Sequence, residues 1–295
     1  MNHRNRNRVL AGVLLAAAVC CAVWAGNYIY QRGQEKSALE ELQAEAKAET
    51  EAAPEAGQET APAETEPVGL DPYVDFGELQ ARNPEIYAWI TVPGTRVDYP
   101  ILQREGSHQD YYLMHDVDGN LTASGSIYTE SLNRKDFTDP NTVIYGHNMK
   151  NGTMFRDLHL YQEKEFFDSH PDVYIYLPGK RLTYEIFSAY EYDNRHLLKA
   201  FDFSDPEVYA AYLETALHPR AVNVMTRAGI SLTAAARIIT LSTCIGRDTS
   251  SSLVQAHLRR AEPMGAWTAP PEPESIAVSE DTYPGPSSAP SQHHS

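Results

Sequence analysis

A cysteine that closes a mostly apolar run and opens a polar loop is placed to act as a nucleophile. Residues 238–252 read IITLSTCIGRDTSSS, with Cys244 at that junction. A thiol that attacks a carbonyl needs a nearby imidazole to move protons. It also needs a positive or hydrogen-bonding group to hold the developing oxyanion. For the imidazole, residues 71–262 offer His108, His115, His147, His159, His170, His196, His218 and His257. His147 differs from the others in its setting: TVIYGHNM is an apolar strand that ends at Gly146 and presents His147 to a loop rich in Gly and Asn. His159 and His170 read as polar positions of a helix, and His218, before Pro219, reads as a helix end. For the oxyanion, the loop after Cys244 offers Arg247, then only Thr249 to Ser252.

Both reactive groups sit at the ends of buried strands, where a rigid scaffold can hold them. The elements that do so are expected between about Asp71 and Glu262. VDFGELQARNPEIYAWI reads as a helix that stops before Pro84, then a strand. Short β-rich runs follow, punctuated by PGT, VDGN and LPGK, and that spacing suggests a barrel or sandwich. Two helical patterns interrupt the strands: residues 154–171, and residues 204–219 with Asp205 as N-cap and Pro206 at the first helical position. DVDGN, residues 116–120, has some carboxylates of a calcium loop but lacks the third and the late glutamate, so a hairpin turn is expected and no metal.

The flanks differ in composition. Arg4, Arg6 and Arg8 precede an uncharged apolar run over residues 9–30, and about 20 apolar residues span a bilayer. Residues 1–8 are therefore expected in the cytoplasm, 9–30 as a single-pass membrane anchor, and the domain on the extracytoplasmic side. Residues 31–70 carry ten acidic and three basic side chains and are expected to be a disordered linker, although SALEELQAEAKAETEAA could form a solvated helix. Residues 263–295, rich in Pro, Ser and Glu, are expected to be a disordered tail. The formal net charge of −16 argues against nucleic-acid binding, which needs a basic surface. Of the three cysteines, Cys20 and Cys21 lie in the apolar run, so Cys244 has no intrachain disulfide partner outside it.

TLSTC with the upstream VIYGHNM resembles the sortases, cysteine transpeptidases of Gram-positive surfaces, and the class B group in particular. The likeness extends over most of residues 71–260, through VDFGELQARNPEIYAWITVPGTRVDYPILQ, DYYLMHDVDGNLTASGSIY and the helix before the cysteine strand. The resemblance implies a mainly β fold: a closed barrel with N-terminal helices and a helix in the connection before the cysteine strand. It implies that Cys244 forms a thioacyl intermediate with a sorting signal of a surface or pilin protein and that His147 moves the protons. Ser242 and Thr243 would line the groove beside the thiol, with Gln109 and Leu113 at further groove positions. The acceptor would be an amine of a peptidoglycan cross-bridge, lipid II or a pilin, and no cofactor is implied. The family's arginine on the strand after the cysteine falls here on Ser252, aligned from Cys244, or on Ser251, aligned back from LVQAHL. Arg247 is the candidate replacement. The alternative is a sortase-like protein that binds sorting signals with little or no catalysis. A papain-like peptidase fits less well, because its usual order is cysteine before histidine.

Overall fold

A computed structural model of the chain describes residues 74–193, 195–244 and 250–264, together with Cys21, Val23, Gly33, Ser37 and residues 40–44. The order of elements is helix α1 (Phe76–Arg82), strands β1 (Ile86–Thr91), β2 (Asp98–Leu102), β3 (Ile127–Thr129) and β4 (Asn141–Tyr145), helix α2 (Lys164–Ser169), strands β5 (Asp172–Leu177) and β6 (Lys180–Asp193), helices α3 (Leu197–Ala200) and α4 (Pro206–Leu217), then β7 (Met225–Thr226), β8 (Ile238–Cys244) and β9 (Ser250–Pro263). The strands follow the order β5-β1-β2-β3-β4-β8-β9-β6, and β6 pairs back onto β5 to close an eight-stranded barrel. β7 joins the upper part of β6, beyond its pairing with β5. Two pairings are parallel, β2 with β3 and β4 with β8.

Alternation of side chains along each strand divides the apolar residues between two faces. Ala88, Ile90, Ile101, Ile127, Ile144, Ile175, Ile186, Leu241 and Val254 fill the barrel. The outer face is covered twice. Phe76 and Leu79 of α1 pack over Ile86, Trp89, Leu102 and Tyr128. Tyr209, Tyr212, Leu213 and Ala216 of α4 pack over Val143, Phe187, Ile238 and Leu253. The caps explain where the helices begin. Asp75 accepts the Glu78 N–H at the start of α1, and Asp205 accepts those of Glu207 and Val208 ahead of Pro206 at the start of α4.

The helical pattern of residues 154–171 is broken. Arg156–Gln162 is a 3₁₀ helix and α2 begins only at Lys164, with Glu163 extended between them. Leu158 and Tyr161, three residues apart, are fully buried, which matches the threefold period of a 3₁₀ helix. DVDGN is a turn: Asp116 Oδ1 accepts the backbone N–H groups of Asp118 and Asn120. Among the described residues no group of three or more His, Cys, Asp or Glu side chains could hold a metal ion.

The expected single-pass placement in a cell membrane is corrected here. Among the described residues no helix is long and apolar enough to cross a bilayer. Of residues 9–30 only Cys21 and Val23 are described, both helical and exposed. In the acidic segment, residues 40–44 are helical; Leu42 is fully buried among the α1-side cluster, and Gln43 Nε2 donates to the Asp98 carbonyl at 2.6 Å.

One polar network ties α4 to the barrel. Gln255 on β9 is fully buried. Its Nε2 donates to Tyr212 Oη of α4 at 2.6 Å and to Thr240 Oγ1 of β8 at 3.0 Å, and its Oε1 accepts from Tyr190 Oη of β6 at 3.2 Å. Leaving a buried polar group unpaired costs roughly 1–3 kcal/mol. Gln255→Leu is therefore expected to lower the urea unfolding midpoint by a loss of that order for each orphaned hydroxyl. A midpoint equal to that of the parent would show that the network contributes nothing.

Candidate functional site

The site is organised by the parallel pairing of β4 with β8, which aligns Ile144 with Leu241 and Tyr145 with Ser242. The ladder runs one step further, since the Gly146 N–H donates to the Ser242 carbonyl at 3.1 Å. Continuing the register by two residues sets His147 beside Cys244. In a sheet such neighbours lie on backbones about 4.8 Å apart. The backbones of β4 and β8 thus end next to each other, at positions nearly a hundred residues apart in sequence.

Gly146 is required by what lies inward of it. A Cβ there would sit 2.5 Å from Ile127 Cδ1 and 2.7 Å from Phe155 Cδ2. The loop that follows is closed by the Phe155 N–H, which donates to the His147 carbonyl at 2.9 Å, and by Arg156, whose Nη1 donates to Asn148 Oδ1 at 3.0 Å. Asp157 in the 3₁₀ helix beyond is held by Arg96 from the β1–β2 turn, through the backbone N–H and the guanidinium, at 2.6–2.9 Å.

His147 is half-buried, and its Nε2 lies 2.7 Å from the Leu113 carbonyl oxygen. A carbonyl can only accept, so Nε2 carries the hydrogen. In the neutral ring that leaves Nδ1 with the lone pair, and Nδ1 is the nitrogen able to take a proton. Leu113 therefore contributes through its backbone. The other histidines are engaged elsewhere or stand apart. His115 stacks on Tyr111, His218 closes α4 beside Glu214, His257 faces Glu185, and His108 is exposed.

The remaining expected site residues fall on different surfaces. Ser242 is half-buried and shares the face of Tyr145, while Gln109, before the 3₁₀ turn Tyr111–Leu113, is half-buried with Oε1 unpaired. Thr243 lies on the inner face: it is 2% exposed, its neighbour on β9 is the equally buried Ser252, and its hydroxyl has no hydrogen-bond partner among the described residues. Arg247 lies outside the described residues. Arg259 and Arg260 are at the opposite end of β9, paired with Glu185 and Glu262.

Three further groups surround the site. Tyr145, two residues before His147, stacks on Tyr128 at 5.3 Å, and burial pushes its phenol far above the ordinary range. His196 reaches across the outer face to the buried Glu130, Nε2 to Oε1 at 2.8 Å, with its ring 6.4 Å from that of Tyr145. Arg195 lies just beyond β6, held by Asp193 at 2.9 Å, its guanidinium 5.4 Å from the ring centroid of Tyr192. Tyr192 is the register partner of Ser251, itself the partner of Cys244. No spacing in the sequence links Glu130 with His196 or Tyr192 with Ser251; only the fold brings them together.

Residues 90–259 match the sortase domain family. The chain is similar to Sortase B of Listeria monocytogenes, 36% identical over 171 residues that make up 58% of this chain and 67% of that protein. It is also similar to Sortase B of Staphylococcus aureus, 29% identical over 169 residues, 57% of this chain and 67% of the other. Among solved structures, Clostridium perfringens sortase B aligns with a TM-score of 0.56 at 34% identity, covering 62% of this chain and 99% of that one. A Staphylococcus aureus sortase B–substrate complex shares the fold, with a TM-score of 0.63 at 24% identity over 78% of this chain and 99% of that one.

The packing around Gly146 can be tested directly. Adding a methyl group to a filled site costs about 1–3 kcal/mol. Gly146→Ala is expected to lose stability in that range and to move the His147 ring resonances in an NMR spectrum. Unchanged stability and unchanged resonances would mean that Ile127 and Phe155 yield freely.

Proposed function

The chain belongs to the sortase family of cysteine transpeptidases, and from that premise we propose that Cys244 and His147 carry its reaction. The observation that supports this most directly is the β4–β8 register, which brings the ends of their two strands together. In the proposed reaction the Cys244 thiolate attacks the carbonyl carbon of a threonine in a sorting signal. A carbon–sulfur bond forms, the peptide C–N bond breaks, and the leaving amine takes the proton held on Nδ1 of His147. An incoming amine then attacks the thioester, giving its proton to Nδ1 as the sulfur leaves. The donor is a surface or pilin protein, and the acceptor is an amine of a peptidoglycan cross-bridge, lipid II or a pilin. Gln109 and Ser242 are the proposed groove contacts, and Thr243 supports the strand from its inner side.

Incubation with a threonine-containing sorting-signal peptide, followed by mass spectrometry, tests the reading. An acyl adduct is expected on Cys244. Cys244→Ala should abolish transfer and His147→Ala nearly so, as with members of a coupled catalytic set. Retention of more than about a tenth of the activity by Cys244→Ala, a loss of under 1.4 kcal/mol in barrier, would move the chemistry elsewhere. Binding of an intact peptide with no adduct would favour a sortase-like binding protein.

The charge on the oxyanion has its own test. We propose Arg247 as the donor, so Arg247→Ala should slow acylation at least about tenfold without altering the melting temperature. The register separates the two serines onto which the family arginine aligns. Ser251 is the backbone register partner of Cys244 and is half-buried, whereas Ser252 pairs with the inward Thr243 and is 2% exposed. Ser251→Arg should therefore fold normally and raise the acylation rate of Arg247→Ala. Ser252→Arg should unfold at markedly lower denaturant, since it would bury an unpaired charge. A stable Ser252→Arg that restores the rate would overturn this assignment of faces.

A further inference from the structure

We propose that Gly125 is a positioning residue for His147, acting through the Leu113 carbonyl that holds Nε2–H; this rests on the proposed role of His147 in proton transfer. Gly125 lies in the segment leading into β3 and has a left-handed backbone, φ +55°. A Cβ at this position would be 2.6 Å from the Tyr112 carbonyl oxygen and 2.8 Å from the Leu113 carbonyl carbon, and closer still to the Leu113 carbonyl oxygen. All three are backbone atoms, so no rotamer change could relieve the contact. The oxygen that accepts from His147 at 2.7 Å is thus seated directly against a residue with no side chain.

Neither partner in that contact is free to drift. On one side, Leu113 N–H donates to the Asp110 carbonyl at 2.9 Å, and the Tyr112 carbonyl accepts from Ser126 N–H at 2.8 Å. Thr122 N–H donates to the Met114 carbonyl at 2.9 Å, and Ser126 Oγ donates to that of His115 at 2.9 Å. On the other side, Gly125 N–H donates to Thr122 Oγ1 at 3.1 Å. The lobe is anchored to α1 and to the turn after it: Arg82 pairs with Asp118, Asn83 Nδ2 donates to the Val117 carbonyl, and Tyr112 Oη donates to Glu85 Oε2. The result is a carbonyl held at a fixed point in front of His147.

The chemical consequence is selection of one tautomer. A neutral imidazole has one N–H and one lone pair, and the hydrogen bond made by one nitrogen decides which is which. With Leu113 in place, Nε2 keeps the hydrogen and Nδ1 receives the proton of the reaction. If the carbonyl moves, both tautomers become populated, the ring is free to turn, and the fraction competent for transfer falls.

The full chain labelled with ¹⁵N-histidine provides a readout independent of turnover. At a pH where the His147 ring is neutral, its nitrogen shifts are expected to report the Nε2–H form. Gly125→Ala should remove that signature, lower kcat at least tenfold and displace the pH–rate profile. Gly106→Ala is the control for backbone strain: φ is +98° there, which strains any side chain, but a Cβ meets nothing within 4 Å, so it should lose stability and keep the parent's His147 nitrogen shifts. Thr122→Val removes the acceptor for Gly125 N–H, and with it the long 3.4 Å contact from Ser124 Oγ, and should change the shifts in the same direction as Gly125→Ala. A folded Gly125→Ala with the parent's nitrogen shifts would overturn the proposal. If Gly125→Ala does not fold, parent-like shifts in Thr122→Val would do so. A parent protein that shows the Nε2–H signature but no acyl transfer would count against the proposed reaction and leave the positioning role standing.

Discussion

The parallel pairing of β4 with β8 is the constraint on which the rest of the molecule depends. Two parallel neighbours cannot be joined by a tight turn; the chain must cross from the end of one strand back to the start of the other. Here the crossover is residues 146–237, and it contains the 3₁₀ helix, α2, β5, β6, α3, α4 and β7. These elements are used to finish the barrel: β5 and β6 supply two of its eight strands and α4 covers one outer face. Without that pairing, His147 and Cys244 would leave the barrel at unrelated points.

The body and the rim of the barrel are held by different forces. Inside, the main cluster is aliphatic and aromatic, and its burial carries no direction. At the rim, where a side chain must point one way, the contacts are polar and specific. Arg96 fixes Asp157, Glu130 fixes His196, and the Leu113 carbonyl fixes His147. Directed bonds suit this task because they weaken steeply when the donor angle is lost. An apolar wall around the imidazole would be as stable but would leave its two tautomers equivalent.

Much of this arrangement was legible in the sequence, and the remainder was hidden for identifiable reasons. The alternation in DYPIL, NTVIY and DVYIYL, the Asp205–Pro206 start of α4 and the glycine before His147 each have a local physical meaning. They carried the strands, the helix and the two strand ends. The 3₁₀ break before Lys164 was not legible, because Leu158, Tyr161 and Phe166 suit a helical stripe as well as they suit the observed break. The partner of His147 was hidden more deeply, since any residue at position 113 has a carbonyl. Thr243 was misread because its alternation places it inward, and neighbouring a cysteine in sequence means facing away from it in a strand. The apolar run at residues 9–30 satisfied a length rule, but among the described residues no helix long and apolar enough to cross a membrane corresponds to it.

The two halves of the site are built unequally, and this bears on how its chemistry can vary. On the side of His147, backbone atoms do the holding, so substitution of most side chains would leave the imidazole in place. On the β9 side, the cross-strand neighbour of Cys244 is Ser251, a side chain too short to carry a charge over the thiol. The arginines of β9 are spent on Glu185 and Glu262 at the far end of the strand. For the proposed reaction, two candidate cations remain: Arg195, which follows β6, and Arg247, which lies outside the described residues. One such donor is worth about 2.7–4 kcal/mol of barrier, close to the whole net contribution of several buried hydrogen bonds. The His147 imidazole is thus held by the fold, while cations near the end of β8 are left to connecting segments, the part of a barrel that changes most readily without cost to its core.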